Sequence, residues 1–452
     1  MPLAPSHSTV PLGDALRYWL KLGFISFGGP AGQIAIMHQE LVEKRRWISE
    51  ERFLHALNYC MLLPGPEAQQ LATYIGWLMH GIKGGIMAGA LFVLPSLLIL
   101  IGLSWLYVTF GQTPVISGLL YGIKPTVTAI VVFAAWRIGS RVLKNGFLWA
   151  LAILAFAAIF FFKLPFPLII LGAALIGAIA GKLQPAWFKE DRHAKSLESY
   201  GPAMIDDLTP LPEHARFSPQ RIALIAIVGI ALWAGTLAAL GGWDRVHGTL
   251  AQMGWFFTNA ALLTFGGAYA VLPYVYQGAV EQYHWLTAHE MIDGLALGET
   301  TPGPLIMIVA FVGYLGGVSK EIFGADNPFA AGAAGACVAT FFTFLPSFLF
   351  ILVGGPLVEA TRNNLKFTAP LNAITAAVVG VIVNLALFFA WHVLWPQASE
   401  VAPFSGRFEW FALPIGIVAG IALIRYKVNV MTVIAAGGLA GLAYQLIANV
   451  AQ

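Results

Sequence analysis

The chain alternates long apolar stretches with short polar ones. Crossing the hydrocarbon core of a bilayer takes roughly 20 apolar residues in a helix. Uninterrupted apolar segments of about this length lie near 86–108, 119–140, 146–162, 165–182, 221–240, 329–353, 371–394, 409–425 and 429–448. Four further segments are each interrupted by glycine or proline, and these lie at 14–38, 53–82, 249–277 and 291–318. The pattern predicts an all-α polytopic membrane protein.

The composition agrees with this pattern. Hydrophobic residues make up 58% of the 452 residues and charged residues only 10%, whereas soluble domains carry about 25% charged residues. An ordinary soluble enzyme is therefore excluded. The net charge of +3 is too small to indicate a nucleic-acid partner, and two isolated cysteines indicate neither a disulfide framework nor a metal site. We expect no cofactor, no bound metal and no catalytic residues.

The chain contains an internal repeat. Residues 27–66 align without a gap on residues 265–304, at a constant offset of 238, with 11 identities in 40 positions. The identities include the sequences FGG and PGP and a tryptophan, and a shared LPS follows in each half. Because chance similarity between apolar sequences would favour matches of Leu and Ala, we infer a duplication. It predicts an N-terminal repeat at 1–183, a polar linker with one extra membrane helix at 184–248, and a C-terminal repeat at 249–452.

The distribution of basic residues predicts that the two repeats are inverted. The loop between the interrupted segments of the first half carries Lys44, Arg45, Arg46 and Arg52, whereas the aligned positions of the second half carry no Lys or Arg. Basic loops mark the cytoplasmic side, and one extra crossing in the linker inverts whatever follows it. The further basic loops at 137–145 and 182–221 also lie on the cytoplasmic side only if the interrupted segments enter the membrane and return to the side from which they came. We therefore predict, in each half, two broken, re-entrant helical hairpins plus four membrane helices.

The interruptions are the candidate site. Breaking a membrane helix frees backbone groups that lipid cannot satisfy, and glycine lets a ligand approach them closely. The N-terminus of a half-helix favours an oxyanion. The alternative interpretation is that Gly and Pro only relieve packing or kink the helices. The predicted substrate-binding residues are Phe27, Gly28, Gly29, Pro30, Gln33, Pro64, Gly65, Pro66, Glu67, Gln70, Phe265, Gly266, Gly267, Glu299, Thr300, Thr301, Pro302, Gly303 and Pro304.

Charged side chains near the interruptions have two interpretations each. Glu67 and Glu299 could exchange protons or couple ion movement, since membrane-depth carboxylates are costly and functional, although Glu67 could instead neutralise its own helix N-terminus. The neighbouring threonine hydroxyls could donate to an oxyanion. Arg45 and Arg46 could collect an anion from the cytoplasm or anchor the topology. For Lys124 we expect snorkelling to the interface.

These motifs resemble a known family. The stretch FGGPAGQIAIMHQELVEKRRWISEERFLHALNYCMLLPGPEAQQLATYIGW, followed by LFVLPS, is similar to the long-chain (two-domain fused) chromate ion transporter (CHR) family. So are LLTFGGAYAVLPYVYQGAV and ETTPGPLIMIVAFVGYLGG in the second half. The resemblance implies a multi-pass protein of the bacterial inner membrane that exports chromate.

Several functions remain open at this point. The first is a secondary transporter that exports chromate, driven by membrane potential or an ion gradient; the sequence carries no ATP-binding motif. The alternatives are a transporter for sulfate or another oxyanion, and a passive anion channel. The expected partners are chromate, sulfate as a look-alike, and the lipid bilayer, with a homodimer left open.

Overall fold

The computed structural model describes residues 10–27, 29–184, 187, 200–206, 209, 212–243, 248–360, 368–398 and 401–450. Gly28, one of the predicted site residues, lies outside the described residues. Sixteen α-helices occupy the described part of the chain. They are α1 (Leu12–Ile25), α2 (Gly29–His38), α3 (Glu50–Leu62), α4 (Glu67–Phe110), α5 (Pro114–Val142), α6 (Gly146–Phe162), α7 (Phe166–Leu183), α8 (Pro219–Trp243), α9 (Thr249–Leu262), α10 (Leu272–Tyr276), α11 (Ala288–Thr300), α12 (Ile308–Ser319), α13 (Pro328–Ala360), α14 (Thr368–Leu394), α15 (Ala412–Ile424) and α16 (Val430–Val450).

Seven of the described helices are long and apolar enough to cross a membrane. They are Glu67–Phe110, Pro114–Val142, Phe166–Leu183, Pro219–Gly242, Pro328–Glu359, Ala369–Leu394 and Val430–Ile447. The prediction of an all-α polytopic membrane protein is confirmed. The domain boundaries proposed from the duplication stay a prediction.

The helices break at all four interruptions. The FGG positions separate α1 from α2 and α9 from a short 3₁₀ segment, Ala268–Val271, and the PGP positions separate α3 from α4 and α11 from a 3₁₀ turn, Leu305–Met307. The repeat extends to a rare element, since π-helical turns occur at Gln39–Lys44 and again at Gln277–Gln282. These two turns keep the offset of 238. Because π-helices are uncommon, their recurrence in register supports the duplication independently of side-chain identity.

Each pair of helices around a break folds back on itself. We call α1–α2 and α9–α10 the FGG hairpins. In the second of these, Phe256 of α9 stacks on Tyr274 of α10 with ring centroids 4.9 Å apart. The breaks are the tips of the hairpins, and the opposite ends are their bases.

The PGP hairpins are built the same way. The second joins α11 to α12, and the Ser319 hydroxyl near the end of α12 donates to the Trp285 carbonyl just before α11, at 2.9 Å. The first joins α3 to residues 67–79 of α4, where the rings of Tyr59 and Tyr74 lie 5.9 Å apart. Helix α4 then reverses at His80 and Gly81, whose backbone angles are not helical, and residues 82–110 form a separate arm.

Two long helices each run alongside a PGP hairpin of the opposite half, from its tip to its base. Along α13, Ser347 lies beside the tip glycine Gly65, and Glu359 accepts a hydrogen bond of 2.5 Å from Tyr74 near the base of that hairpin. Along the second arm of α4, Ser96 lies beside Gly303 of the other half, and Tyr107 lies towards the base of that half's PGP hairpin. The arm of α4 starts at Gly81, the base of the first PGP hairpin, so the hairpin bases of the two halves lie at opposite ends of this arm.

The remaining helices form a scaffold in which the two halves interleave. Helix α5 packs against α14, α15 and α16, and α14 also packs against α6 and α7. Glycines permit a close crossing, since a Cβ added to Gly122 of α5 would lie 2.8 Å from the Cα of Gly441 in α16. The linker docks on the first half, where the backbone N–H groups of Met204 and Ile205 donate to the carbonyls of Arg46 and Trp47.

Candidate anion site at the hairpin tips

Two backbone hydrogen bonds bring the four tips together. The Gly65 N–H donates to the Thr264 carbonyl at 2.8 Å, and the Gly303 N–H donates to the Ser26 carbonyl at 2.8 Å. Ser26 and Thr264 each precede an FGG sequence, so the PGP tip of each half is bonded to the FGG tip of the other. The two bonds are related by the offset of 238. The predicted breaks thus form one centre to which both halves contribute.

Positive backbone angles make glycine necessary at the PGP tips. The φ angles of Gly65 and Gly303 are 117° and 105°, a region that L-residues with a side chain rarely adopt. A Cβ on Gly65 would lie 2.5 Å from Ser347 Oγ, and one on Gly303 would lie 2.7 Å from Ser96 Cβ. The serine of each LPS sequence therefore packs against the PGP glycine of the opposite half.

The FGG glycines differ from the PGP glycines in their surroundings. A Cβ on Gly29 or on Gly267, which occupy equivalent positions, would have nothing within 4 Å. Gly266 is packed instead, with Thr375 Cγ2 3.0 Å from its added Cβ. Open space beside Gly29 and Gly267 leaves this backbone accessible to a small ligand.

Two glutamine side chains form hydrogen bonds to backbone carbonyls at the tips. The Gln33 Nε2 group donates to the Gly303 carbonyl at 2.5 Å and contacts the Ser26 carbonyl at 3.3 Å. The Gln70 Nε2 group donates to the Pro64 carbonyl at 2.7 Å. Both side chains are fully buried, so these predicted site residues do lie at the centre, where their amide N–H groups satisfy backbone carbonyls freed by the breaks.

Buried polar atoms without a partner concentrate at the same centre. Among the described residues, Ser26 Oγ, Gln33 Oε1, Gln69 Oε1, Gln70 Oε1 and Ser96 Oγ are buried and make no hydrogen bond within the protein. Each such atom costs about 1–3 kcal/mol unless a ligand or water satisfies it. Five of them beside four helix breaks make this centre able to hydrogen-bond ordered water or a small polar ligand.

The predicted acidic and hydroxyl residues lie around this centre in different environments. Glu67 is the first residue of α4 and is half-buried. Glu299 is buried and accepts a hydrogen bond of 2.5 Å from the Tyr269 hydroxyl. The hydroxyls of Thr300 and Thr301 donate to the carbonyls of their own helix, at 2.9 and 3.0 Å. Both hydroxyls therefore bond to the end of α11 in this structure, and their role towards an oxyanion stays a prediction.

Arg45 and Arg46 lie at the hairpin base rather than at the tip. The Arg45 Nε group pairs with Glu40 at 3.3 Å, and its guanidinium lies 4.9 Å from the Trp47 ring. Arg46 donates to the Val42 carbonyl at 3.3 Å. The 16 residues from Gly29 to Lys44 span about 24 Å of helix. The structure therefore does not bring these arginines together with the tip residues.

An ion pair that the sequence did not predict joins the two halves. Lys124 of α5 lies 3.3 Å from Asp293 Oδ2 of α11, and the Tyr107 hydroxyl donates to the same oxygen at 2.9 Å. The expectation that Lys124 snorkels to the interface is wrong, because this partner holds it against a buried carboxylate. The signal in the sequence was Asp293 itself, an acidic residue inside the apolar segment 291–318. Such residues are costly and usually paired.

The fold and the centre define a class of protein. An all-α polytopic protein with a polar centre at broken helices has the architecture of a membrane transporter, in which irregular backbone lines a substrate cavity. Among the described residues, no group of three or more His, Cys, Asp and Glu could hold a metal ion.

The sequence comparisons identify the family. The profile described as "Chromate transporter" matches residues 13–178 and 251–442, so this chain belongs to the chromate transporter family. The two matched regions correspond to the two halves. The family is one of membrane transporters, not of enzymes.

Curated relatives share most of the chain. A chromate transport protein of Pseudomonas aeruginosa is 34% identical over 94% of this chain and 90% of its own length. A chromate transport protein of Cupriavidus metallidurans is 29% identical over 84% of this chain and 83% of its own. A probable chromate transport protein of Synechococcus elongatus is 29% identical over 83% and 84%. No solved structure matches the chain significantly.

Proposed function

We propose that this protein is a secondary transporter that exports chromate across the bacterial inner membrane. The substrate is a tetrahedral divalent oxyanion, and it binds near mid-membrane where the four hairpin tips meet. The relatives named as chromate transport proteins support the substrate. The bases of the two halves at opposite ends of the second arm of α4 support an inverted repeat, with the tips dipping to the membrane interior from both sides.

The main support for the proposed anion site is the pair of backbone hydrogen bonds that joins the tips. Gly65 to Thr264 and Gly303 to Ser26 place two FGG and two PGP turns around one centre. Open space beside Gly29 and Gly267 gives an anion access to backbone N–H groups at the helix starts. Partial positive charge at those starts favours an oxyanion without the need for many formal charges.

The membrane potential supplies sufficient driving force for export. Moving two negative charges out of an inside-negative cell releases about 4.6 kcal/mol per 100 mV. Glu67 and Glu299 are the candidates for proton coupling if a counter-ion takes part, because both are carboxylates beside the tips.

The test is radiolabelled chromate flux in oriented vesicles with an imposed voltage or pH gradient. Gly29→Leu and Gly267→Leu each place a side chain in the open space beside the tip, so we expect membrane insertion to persist and flux to fall to background. Gly324→Leu is the matched control, since Gly324 also has a positive φ and an added Cβ there also meets nothing within 4 Å, but it lies between α12 and α13, away from the tips. Normal flux in either tip variant would contradict the site.

The same assay separates the alternatives. Export by a carrier saturates with chromate and supports exchange, whereas a passive channel gives unsaturated flux without exchange. Competition by sulfate that is stronger than self-competition by chromate would make sulfate the substrate. Flux that followed ATP and ignored both gradients would reject a secondary transporter.

A further inference from the structure

A cavity lies at the base of the first PGP hairpin, away from the tips. It has a volume of about 190 Å³ and forms between the reversal of α4 at His80, the segment before α8, and the last turns of α13. Helix α8 begins at Pro219 and is one of the apolar helices long enough to cross the membrane. The cavity therefore stands where the linker meets the membrane boundary.

The polar wall of the cavity is basic. It carries His80, Lys83, His214, Arg216 and Arg221, and no acidic residue among those described lines it. Lys83, Arg216 and Arg221 are exposed. Arg221 donates one hydrogen bond to the Glu213 carbonyl at 2.9 Å, and within the described part of the chain its other N–H groups have no partner. Three exposed cations in one cavity favour an anion.

The opposite wall is apolar and continues onto a lipid-facing surface. Ile222 and Ile225 of α8 and Leu352 of α13 line the cavity beside the basic groups. The best membrane-spanning stretch of α8 is only 6% buried within the protein. A free oxyanion would use the basic wall alone, whereas a phospholipid would use both walls, with its phosphate on the cations and an acyl chain along α8.

We propose that this cavity binds the headgroup of an anionic phospholipid. Basic cavities between membrane helices at the cytoplasmic side suit such headgroups. The lipid phosphate lies between Lys83, Arg216 and Arg221 and joins the linker to the hairpin base. The cavity is separate from the anion centre at the tips, and the proposal does not depend on which substrate the protein transports.

The test measures lipid binding rather than transport. Native mass spectrometry of the full-length protein in detergent, titrated with phosphatidylglycerol or with phosphatidylcholine of the same acyl chains, gives apparent dissociation constants. We expect selective binding of phosphatidylglycerol to the wild type. The triple variant Lys83→Gln, Arg216→Gln, Arg221→Gln binds it at least about tenfold more weakly, because each cation near an anionic surface contributes roughly fivefold in affinity.

A matched variant controls for charge. Arg141→Gln, Lys144→Gln and Lys182→Gln remove three exposed cations that do not line the cavity, and we expect unchanged lipid affinity. Equal binding of phosphatidylglycerol by the wild type and the cavity variant would overturn the proposal. Displacement of the lipid by sulfate or inorganic phosphate, with no selectivity between the two lipids, would also overturn it, by assigning the cavity to free oxyanions. The single variant Lys83→Gln, expected about fivefold weaker, provides the comparison should the triple variant aggregate.

Discussion

Gly65 and Gly303 each combine a backbone conformation that favours glycine with a backbone hydrogen bond across the two halves. Each has a positive φ, and each donates its N–H to the FGG tip of the other half. The space where a side chain would begin is already occupied by Ser347 or Ser96. A change at either residue therefore alters the backbone angle and the packing of a tip at the same time.

We predict that Gly65→Ala and Gly303→Ala reduce chromate flux by about tenfold or more. A positive φ costs an L-residue about 1–2 kcal/mol, and the clash with the opposing serine displaces the tip. Displacement of the tip by about 1 Å is enough for a tenfold loss of flux, because the site depends on the exact placement of its backbone groups. Flux in vesicles, normalised to the amount of inserted protein, measures the effect.

Gly172→Ala is the control for these variants. Gly172 lies on α7 and nothing stands within 4 Å of an added Cβ, so flux should remain at the wild-type level. Wild-type flux in both tip variants would show that the conformation of the PGP turns does not matter to transport.

Some site residues could be predicted from the sequence, and others could not. Glycine and proline mark the breaks directly, because few other residues interrupt a membrane helix. Ser26 was missed because a single serine in an apolar segment carries no signal of its own. Ser96 belongs to the repeated LPS sequence, which revealed the duplication but not the contact with Gly303, since that contact joins residues far apart in the chain.

At the scale of the helices, α5 and α11 belong to different halves and are tied by the Lys124–Asp293 pair. The Asp293 side chain is buried, whereas Lys124 remains partly exposed. Removing one partner of a buried pair leaves an uncompensated charge, and this is far more costly than removing both.

We predict that Asp293→Leu and Lys124→Met each destabilise the protein by about 3 kcal/mol. The double variant Lys124→Met, Asp293→Leu should recover much of this loss. Thermal unfolding in detergent, arranged as a double-mutant cycle, measures the coupling. Lys44→Met removes an exposed pair with Glu40 and serves as a control with little effect. Additive losses in the double variant would show that the pair does not couple the two halves.

The helices themselves were largely predictable from hydrophobicity, whereas the π-helical turns were not. The apolar segments at 119–140 and 146–162 correspond to α5 and α6 within a few residues. The reversal at His80 and Gly81 lies close to the predicted boundary between the segments 53–82 and 86–108. The π-helical turns escaped prediction, because they depend on how the hairpins pack. Local propensity does not encode such packing.

At the scale of the whole molecule, the hairpins of the two halves point towards each other from opposite ends of the second arm of α4. Glu51 lies at the base of the first half, and Asp326 lies between α12 and α13 at the base of the second. Both residues are exposed. In a membrane, an inverted arrangement places them on opposite sides.

We predict that Glu51→Cys reacts with an impermeant maleimide only from the cytoplasmic side and Asp326→Cys only from the outside. The background replaces Cys60 and Cys337, the two native cysteines, with alanine. Labelling of intact cells, compared with labelling of inside-out vesicles, measures the accessibility. Reaction of both positions from the same side would reject the inverted repeat.

The reciprocal hydrogen bonds between the tips have a consequence for how the protein evolves and how it can be divided. Neither half closes its own centre, because each PGP turn finds its acceptor only in the opposite repeat. A fragment that carries one repeat would leave the N–H group of its PGP turn without an acceptor. It would rebuild the complete centre only by associating with a fragment that carries the other repeat. Duplication therefore left two copies that cannot diverge freely: an altered FGG turn in one is a change of environment for the PGP turn in the other.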